Sequence, residues 1–368
     1  MYLKNIIGQD KIKNTIDEMC KKMYVSHCQL FIDRNGYGGL GLALYFCIQL
    51  IYGKNKLEEL FANGYDIKKI LQNPDLKFIY PIYSNKNKLS QDFIKEWLLF
   101  VEKNIYGSYG DWLKEIGDEN KEGIIGVNEV ENLQNQINLK SFYGGNKVIL
   151  IWGLEKMNLS ASNKILKLLE EPPKKTFFIM ITEDSLKLLP TIYSRCESIH
   201  LKPIQDSCIK DYLVKNNIDN NNALGSIREI NKRLNNDYFY EFESLIVELL
   251  RVSFSSNQKK ENTLQLYDWI NKVSLFGNEK IKDFFYFSIE FLRSAFFANF
   301  NLEKISSFKS YTNFRIKNLS PYINKNNLKK FVYLFETSQN YIEQNANKKM
   351  LLTEIALKTK KLLLLSKN

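Results

Sequence analysis

Residues 163–196 read NKILKLLEEPPKKTFFIMITEDSLKLLPTIYSRC, and their reading decides the fold. With Ala161 just ahead, Ile165, Leu168 and Leu169 recur at i, i+4, i+7 and i+8, one apolar face of a helix, while Lys164, Lys167 and Glu171 fall largely off it. Pro172 and Pro173 stop that helix, because proline has no N–H to continue the ladder. The run Thr176 to Ile181 is apolar and partly β-branched or aromatic, the composition of a strand covered by helices on both faces. A short helix and the triplet Ser194-Arg195-Cys196 follow. This order predicts α/β architecture on a parallel sheet.

The chain around it has 368 residues, long enough for two or three domains with a sizeable core. Hydrophobic residues at 44% and aromatics at 13% exclude a disordered chain. The net charge of +11 fits a place beside nucleic acid; it fits equally well lysines scattered over solvated faces, since they form no long basic block. Five cysteines, odd in number and without a Cys-x-x-Cys pair, argue against both a disulfide framework and a zinc site and suit reduced thiols in a cytosol. The first residues carry no apolar signal-peptide core. The longest apolar stretch, Leu40 to Tyr52, is broken by Gly41 and Gln49 and falls short of the about 20 residues that span a bilayer, so no membrane partner is expected.

Read from the start, Ile7 to Met23 predicts a helix with Ile12, Ile16, Met19 and Met23 on one side, and His27 to Ile32 a short buried strand. His27, at the edge of that strand with no acidic or cysteine partner at a useful spacing, reads as a core residue. The strand runs into DRNGYGGLG, Asp33 to Gly41, and then into a helix. Strand, glycine-rich turn, helix is the setting of a phosphate-binding loop, whose lysine and hydroxyl meet phosphate and Mg²⁺. With Gly36 and Gly38 aligned on the last two loop glycines, Asp33 stands at the first glycine, Gly39 at the lysine and Leu40 at the hydroxyl. The counter-charge and the metal ligand are gone, and a carboxylate adds repulsion toward a polyanion. The expectation is a vestigial turn that holds no ATP or Mg²⁺.

Further on, Pro74 to Pro81 predicts a strand, Gln91 to Val101 and Asp111 to Lys121 helices, and Asn128 to Ser141 another helix. Lys147 to Trp152 is a strand of the kind that ends in an acidic pair, one carboxylate for Mg²⁺ and one to orient water. Here Trp152 and Gly153 hold those positions, and Glu155 lies beyond them. A tryptophan at a strand end points to core packing or a subunit contact. Two catalytic elements are therefore missing.

The motif Asn163 to Pro173, the strand after it, Ser194-Arg195-Cys196 and the opening Ile7-Gly8-Gln9 together resemble the clamp-loader branch of the AAA+ ATPases. The looser similarity of Pro81 to Gly145 is to the delta-prime branch of the bacterial clamp loaders. The resemblance implies an AAA+ α/β domain over residues 1–202, a small helical lid over 203–237 and an all-α oligomerisation collar over 238–368. Within the lid, Gly225-Ser226-Ile227-Arg228 is similar to the sensor-2 helix, where Arg228 is expected in a structural salt bridge; Thr182 or Glu183 stands where the sensor after the central strand would be. No cysteine lies between Cys47 and Cys196, so the zinc module of some relatives is not expected. Arg195, with Ser194 and Cys196, corresponds to an arginine finger that reaches a neighbour's nucleotide; the simpler reading is that Arg195 satisfies carbonyls at a helix end and Cys196 fills a core gap.

What the resemblance implies is a non-hydrolysing clamp-loader subunit without ATP, Mg²⁺ or zinc of its own, in the bacterial cytoplasm and at the nucleoid during replication. Its expected partners are ATPase subunits of gamma/tau type, a delta subunit, the sliding clamp and primer-template DNA. Two other classes compete: an active ATPase with atypical contacts, which predicts turnover by the chain alone, and a basic DNA-binding scaffold, which predicts steeply salt-dependent DNA binding.

Overall fold

The structure is a computed structural model that describes residues 6–83, 88–117, 123–216, 226–234, 238–254, 259–300, 308 and 310–364. In chain order these form α1 (Asp10–Lys22), β1 (Cys28–Ile32), α2 (Gly39–Tyr52), α3 (Lys54–Ala62), α4 (Ile67–Leu71), β2 (Leu76–Ile79), β3 (Ile82–Tyr83), α5 (Ile94–Lys103), α6 (Tyr109–Glu115) and β4 (Gly123–Ile124). Next come α7 (Val127–Ile137), β5 (Lys147–Trp152), α8 (Leu159–Glu170), β6 (Thr176–Thr182), α9 (Pro190–Tyr193), β7 (Glu197–His200), α10 (Asp206–Lys215) and α11 (Ile227–Leu234). The remainder is helical: α12 (Tyr238–Phe254), α13 (Lys259–Ser274), α14 (Asn278–Ala298), α15 (Lys325–Glu343) and α16 (Lys348–Leu364).

The chain divides into two compact units, the first running to Asn231 and so including α10 and most of α11, the second from Lys232 onward. The first is built on a five-stranded sheet in the order β2-β5-β6-β1-β7. All its pairings are parallel, with Cys28 opposite Phe178 and Lys147 opposite Thr176. Parallel strands need helical crossovers, which cover both faces and explain the apolar runs of β5 and β6. One face packs Cys28, Leu30, Ile149, Ile151, Phe178 and Met180 against Val130 and Leu133 of α7 and Ile165 and Leu169 of α8. The chain leaves β1 toward β2 on one side and returns from β6 past β1 to β7 on the other. Ligands of open α/β sheets bind where the order reverses in this way, at the carboxyl ends of the strands.

Asn158 begins α8 by accepting from the Ala161 N–H at 2.8 Å, and Glu171 closes it just before the two prolines. The short antiparallel pair β3–β4 was not expected from the sequence; two-residue strands are too brief to show a period. The α6 helix stops at Glu115, short of the expected Lys121, and residues 118–121 lie outside the described residues, as do 217–222 of the asparagine-rich turn and Gly225.

In the second unit α12 to α16 enclose Phe242, Trp269, Phe284, Phe285, Phe291 and Phe335, all buried. The helices α13 to α16 open on largely polar first turns (KKEN, NEKI, KNNL and KKML), which carry little apolar period. Glu243 is fully buried yet accepts from Ser310 Oγ at 2.6 Å and from the Thr312 N–H at 2.8 Å, so its charge is hydrogen-bonded. Among the described residues no helix is long and apolar enough to cross a membrane.

Candidate functional site

The crevice where β1 meets β6 receives the loop Asp33 to Gly38 and the N-terminus of α2. Asp33 continues β1 by donating its N–H to Thr182 O at 2.9 Å. The carboxylate then turns back onto its own loop, where Oδ1 accepts the Tyr37 N–H at 2.6 Å and Oδ2 the Gly39 N–H at 2.7 Å, and the residue is only 3% exposed. Amides at a helix N-terminus form a ready anion site. Here the anion is a side chain of the same loop. The sequence offered Asp33 only as a source of repulsion; in the fold it is the partner of the very amides that would cradle phosphate.

A lysine at Gly39 would require this carboxylate to move, since a Cβ there would lie 2.8 Å from Asp33 Cβ and Oδ2. Gly36 has φ +69° and a Cβ on it would fall 2.2 Å from Arg228 Nε, so the Arg228 side chain lies directly across the loop. Leu40 is buried at the start of α2. Gly38, at φ 107°, is the residue that turns the loop into the helix. Gln9 of the opening motif is buried and ties the exit of β7 to this region, donating to Lys202 O at 2.8 Å.

Arg228 extends from α11. Its Nε donates to Tyr106 O at 2.9 Å, Nη2 to Gly107 O at 3.0 Å, and Nη1 to Glu183 Oε1 at 2.6 Å. Burial alone would lower its pKa, but the charges of Glu183 and Asp33 outweigh that and hold it above its ordinary range. Ser226 adds a bond from Oγ to Asn35 O at 2.7 Å. Of the two candidate sensor residues, Glu183 meets Arg228, whereas Thr182 is fully buried and its hydroxyl accepts the Asp184 N–H at 3.2 Å.

At the end of β5, Trp152 is 1% exposed and packs among Trp97, Phe100 and Tyr109, with ring centroids 4.7 to 5.8 Å apart. Gly153 has φ +82°, and a Cβ would meet Pro81 Cγ at 2.9 Å, so no acidic side chain fits at that position. Glu155 turns back toward β6 and accepts the Glu183 N–H at 3.0 Å and the Tyr109 hydroxyl at 3.2 Å. Burial first, and the Glu183 charge second, push its pKa up. Among the described residues no group of three or more His, Cys, Asp or Glu side chains is placed to hold a metal ion.

Arg195 stands apart from this cluster, just past α9. Its Nη1 donates to Thr191 O at 2.8 Å and its Nη2 to Glu170 Oε1 at 2.5 Å. Both tips reach solvent, with side chains 33% and 48% exposed. Beneath it Cys196 is held from the core side, its Sγ donating to Ile192 O at 3.0 Å and meeting Cys28 Sγ at 3.0 Å. That contact, then burial, drives the Cys28 pKa far upward, so the thiol stays protonated. Ser194 is exposed and donates to Thr191 O at 3.3 Å. The Glu170 partner was missed in the sequence, although it lies in the same motif that singled out Arg195.

A family model described as "DNA polymerase III, delta subunit" matches residues 8–205. Among curated proteins the chain is similar to DNA polymerase III subunit delta' of Bacillus subtilis (strain 168), 29% identical over 34% of this chain and 40% of that protein. It is similar also to subunit delta' of Buchnera aphidicola subsp. Baizongia pistaciae, 30% identical over 42% of this chain and 56% of the relative. A third similarity is to subunit tau/gamma of Haemophilus influenzae, 36% identical over 24% of this chain and 13% of that one. The chain thus matches about two-fifths to just over half of the length of these delta' relatives.

Proposed function

The chain belongs to the DNA polymerase III delta subunit family, and from that membership we propose that it acts as a delta-prime-type subunit of the clamp loader that hydrolyses no ATP itself. One observation carries the proposal: the Tyr37 and Gly39 amides at the head of α2 are bonded to the Asp33 carboxylate, so a phosphate would have to displace a buried intramolecular anion. Arg228 across Gly36, Leu40 at the hydroxyl position and Trp152 and Gly153 at the end of β5 point the same way. No ATP, Mg²⁺ or zinc is needed in this reading.

The chain's contribution is then made in trans. Arg195 is the intact motif residue whose guanidinium reaches solvent, and a planar, permanently charged fork suits two phosphate oxygens at once. It stabilises charge on nucleotide held by a neighbouring gamma/tau-type subunit, while the assembly, with a delta subunit, opens the sliding clamp and places it on primer-template DNA in the cytoplasm. The similarity to a tau/gamma subunit supports such company.

The test reconstitutes the complex with Arg195→Ala. Assembly and nucleotide binding by the neighbour are expected to persist, while DNA- and clamp-stimulated hydrolysis falls steeply, toward the about 10³-fold that an arginine finger supplies in other phosphoryl-transfer systems. Unchanged hydrolysis refutes the finger. Turnover by the purified chain alone refutes the non-hydrolysing assignment.

A further inference from the structure

Resting on the finger reading, we propose that Glu170 is a positioning residue for Arg195: its carboxylate, together with Thr191 O, presets the plane of the guanidinium from within the same subunit. The two bonds, 2.5 Å to Glu170 and 2.8 Å to Thr191, grip the two terminal nitrogens of one fork. A guanidinium held at both terminal nitrogens has lost most of its side-chain rotational freedom before any phosphate arrives. Donors fixed in advance at the place where charge develops are what electrostatic stabilisation of a transition state requires.

The backbones under both side chains are anchored, and the tips are not buried. The last turn of α8 is pinned where His27 Nε2 lies 2.9 Å from Leu169 O, and Pro172 ends the helix just beyond. Arg195 is flanked by Cys196, fixed on Ile192 O and Cys28. Fixed backbones with solvent-reaching tips suit a group that must meet another subunit, and a pair this exposed contributes little to stability on its own. Glu170 also ends α8, the negative end of the helix, where a carboxylate has reason to seek a cation.

The experiment uses the reconstituted complex and five versions of this chain: wild type, Glu170→Ala, Glu170→Gln, Arg195→Ala and the Glu170→Ala/Arg195→Ala double variant. Glu170→Ala is expected to lower stimulated kcat about three- to tenfold, or about 0.6–1.4 kcal/mol at 1.36 kcal/mol per factor of ten, with KM for ATP within about twofold of wild type. Glu170→Gln, which keeps an acceptor without the charge, falls between the two. Because Glu170 acts through Arg195, adding Glu170→Ala to Arg195→Ala changes nothing further. Unchanged or raised kcat in Glu170→Ala, or a further loss in the double variant, overturns the positioning role while leaving the finger standing. Full activity in Arg195→Ala overturns both.

Discussion

Replacing Arg228 with alanine removes the side chain that closes the β1–β6 crevice, and the structure sets the size of the effect. Three hydrogen bonds go, at 2.9 and 3.0 Å to the Tyr106 and Gly107 carbonyls and at 2.6 Å to Glu183. A buried ion pair broken from one side costs about 3–5 kcal/mol. The Glu183 side chain is 27% exposed and so rehydrates in part, which brings the expected loss to about 2–4 kcal/mol, the stranded carbonyls included. Trp97, Trp112 and Trp152 all lie buried in the first unit, so tryptophan fluorescence in urea reports mainly on that unit, with Trp269 the reporter from the second. At a slope of about 2 kcal/mol/M the midpoint drops by about 1–2 M. Arg195→Ala breaks only an exposed pair, worth about 0–1 kcal/mol, and shifts it by no more than about 0.5 M. Equal shifts for the two variants would refute the view that one arginine plugs the crevice and the other projects from the surface.

Gly39→Lys, which restores the residue type of an active loop, is expected to destabilise by about 1–3 kcal/mol because its Cβ would meet Asp33 at 2.8 Å; calorimetric titration with ATP should still give no binding, since Leu40 supplies no Mg²⁺ ligand, and binding by this variant would argue against an internal plug. Asp75 accepts from the Phe142 and Tyr143 N–H groups at 2.8 and 3.1 Å and from Ser141 Oγ at 2.9 Å. Burial opposes its ionisation, but these donors and the Lys147 charge outweigh burial and depress its pKa. A depressed carboxyl contributes stability above its unfolded value of about 3.9, lost as pH falls through the folded one. Asp75→Asn is therefore expected to cost about 1–2 kcal/mol at pH 7 and progressively less below about pH 4; a constant difference across pH titrations of the urea midpoint would contradict it.

The sheet and most helices were legible because burial on both faces writes continuous apolar runs, as in β5 and β6, and burial on one face writes a helical period, as in α8 with Ala161, Ile165, Leu168 and Leu169. That Gly39, Leu40, Trp152 and Gly153 bring no cation, hydroxyl or carboxylate to these strand ends was legible in the residue types themselves. What surrounds them was not. Asp33 could be seen beside a glycine-rich turn, but its bonds to Tyr37 and Gly39 depend on the loop closing back on itself. Glu183 meets Arg228 across 45 residues and Glu170 meets Arg195 across 25, pairings that belong to the sheet order and not to any local period.

The residues around the loop also depend on one another. Asp33 excludes a side chain at Gly39, Arg228 excludes one at Gly36, and Pro81 with Tyr109 excludes one at Gly153. Asp33 and Glu183 in turn sustain the charge of Arg228. A side chain placed at Gly39 or Gly153 therefore meets a neighbour already seated there, and removing Asp33 would leave the buried Tyr37 and Gly39 amides without a partner, at about 1–3 kcal/mol for each unsatisfied group. The loop is closed by its own carboxylate, and the Asp33 N–H bonded to Thr182 O extends the β1–β6 pairing, from which the chain continues through α9 to Arg195.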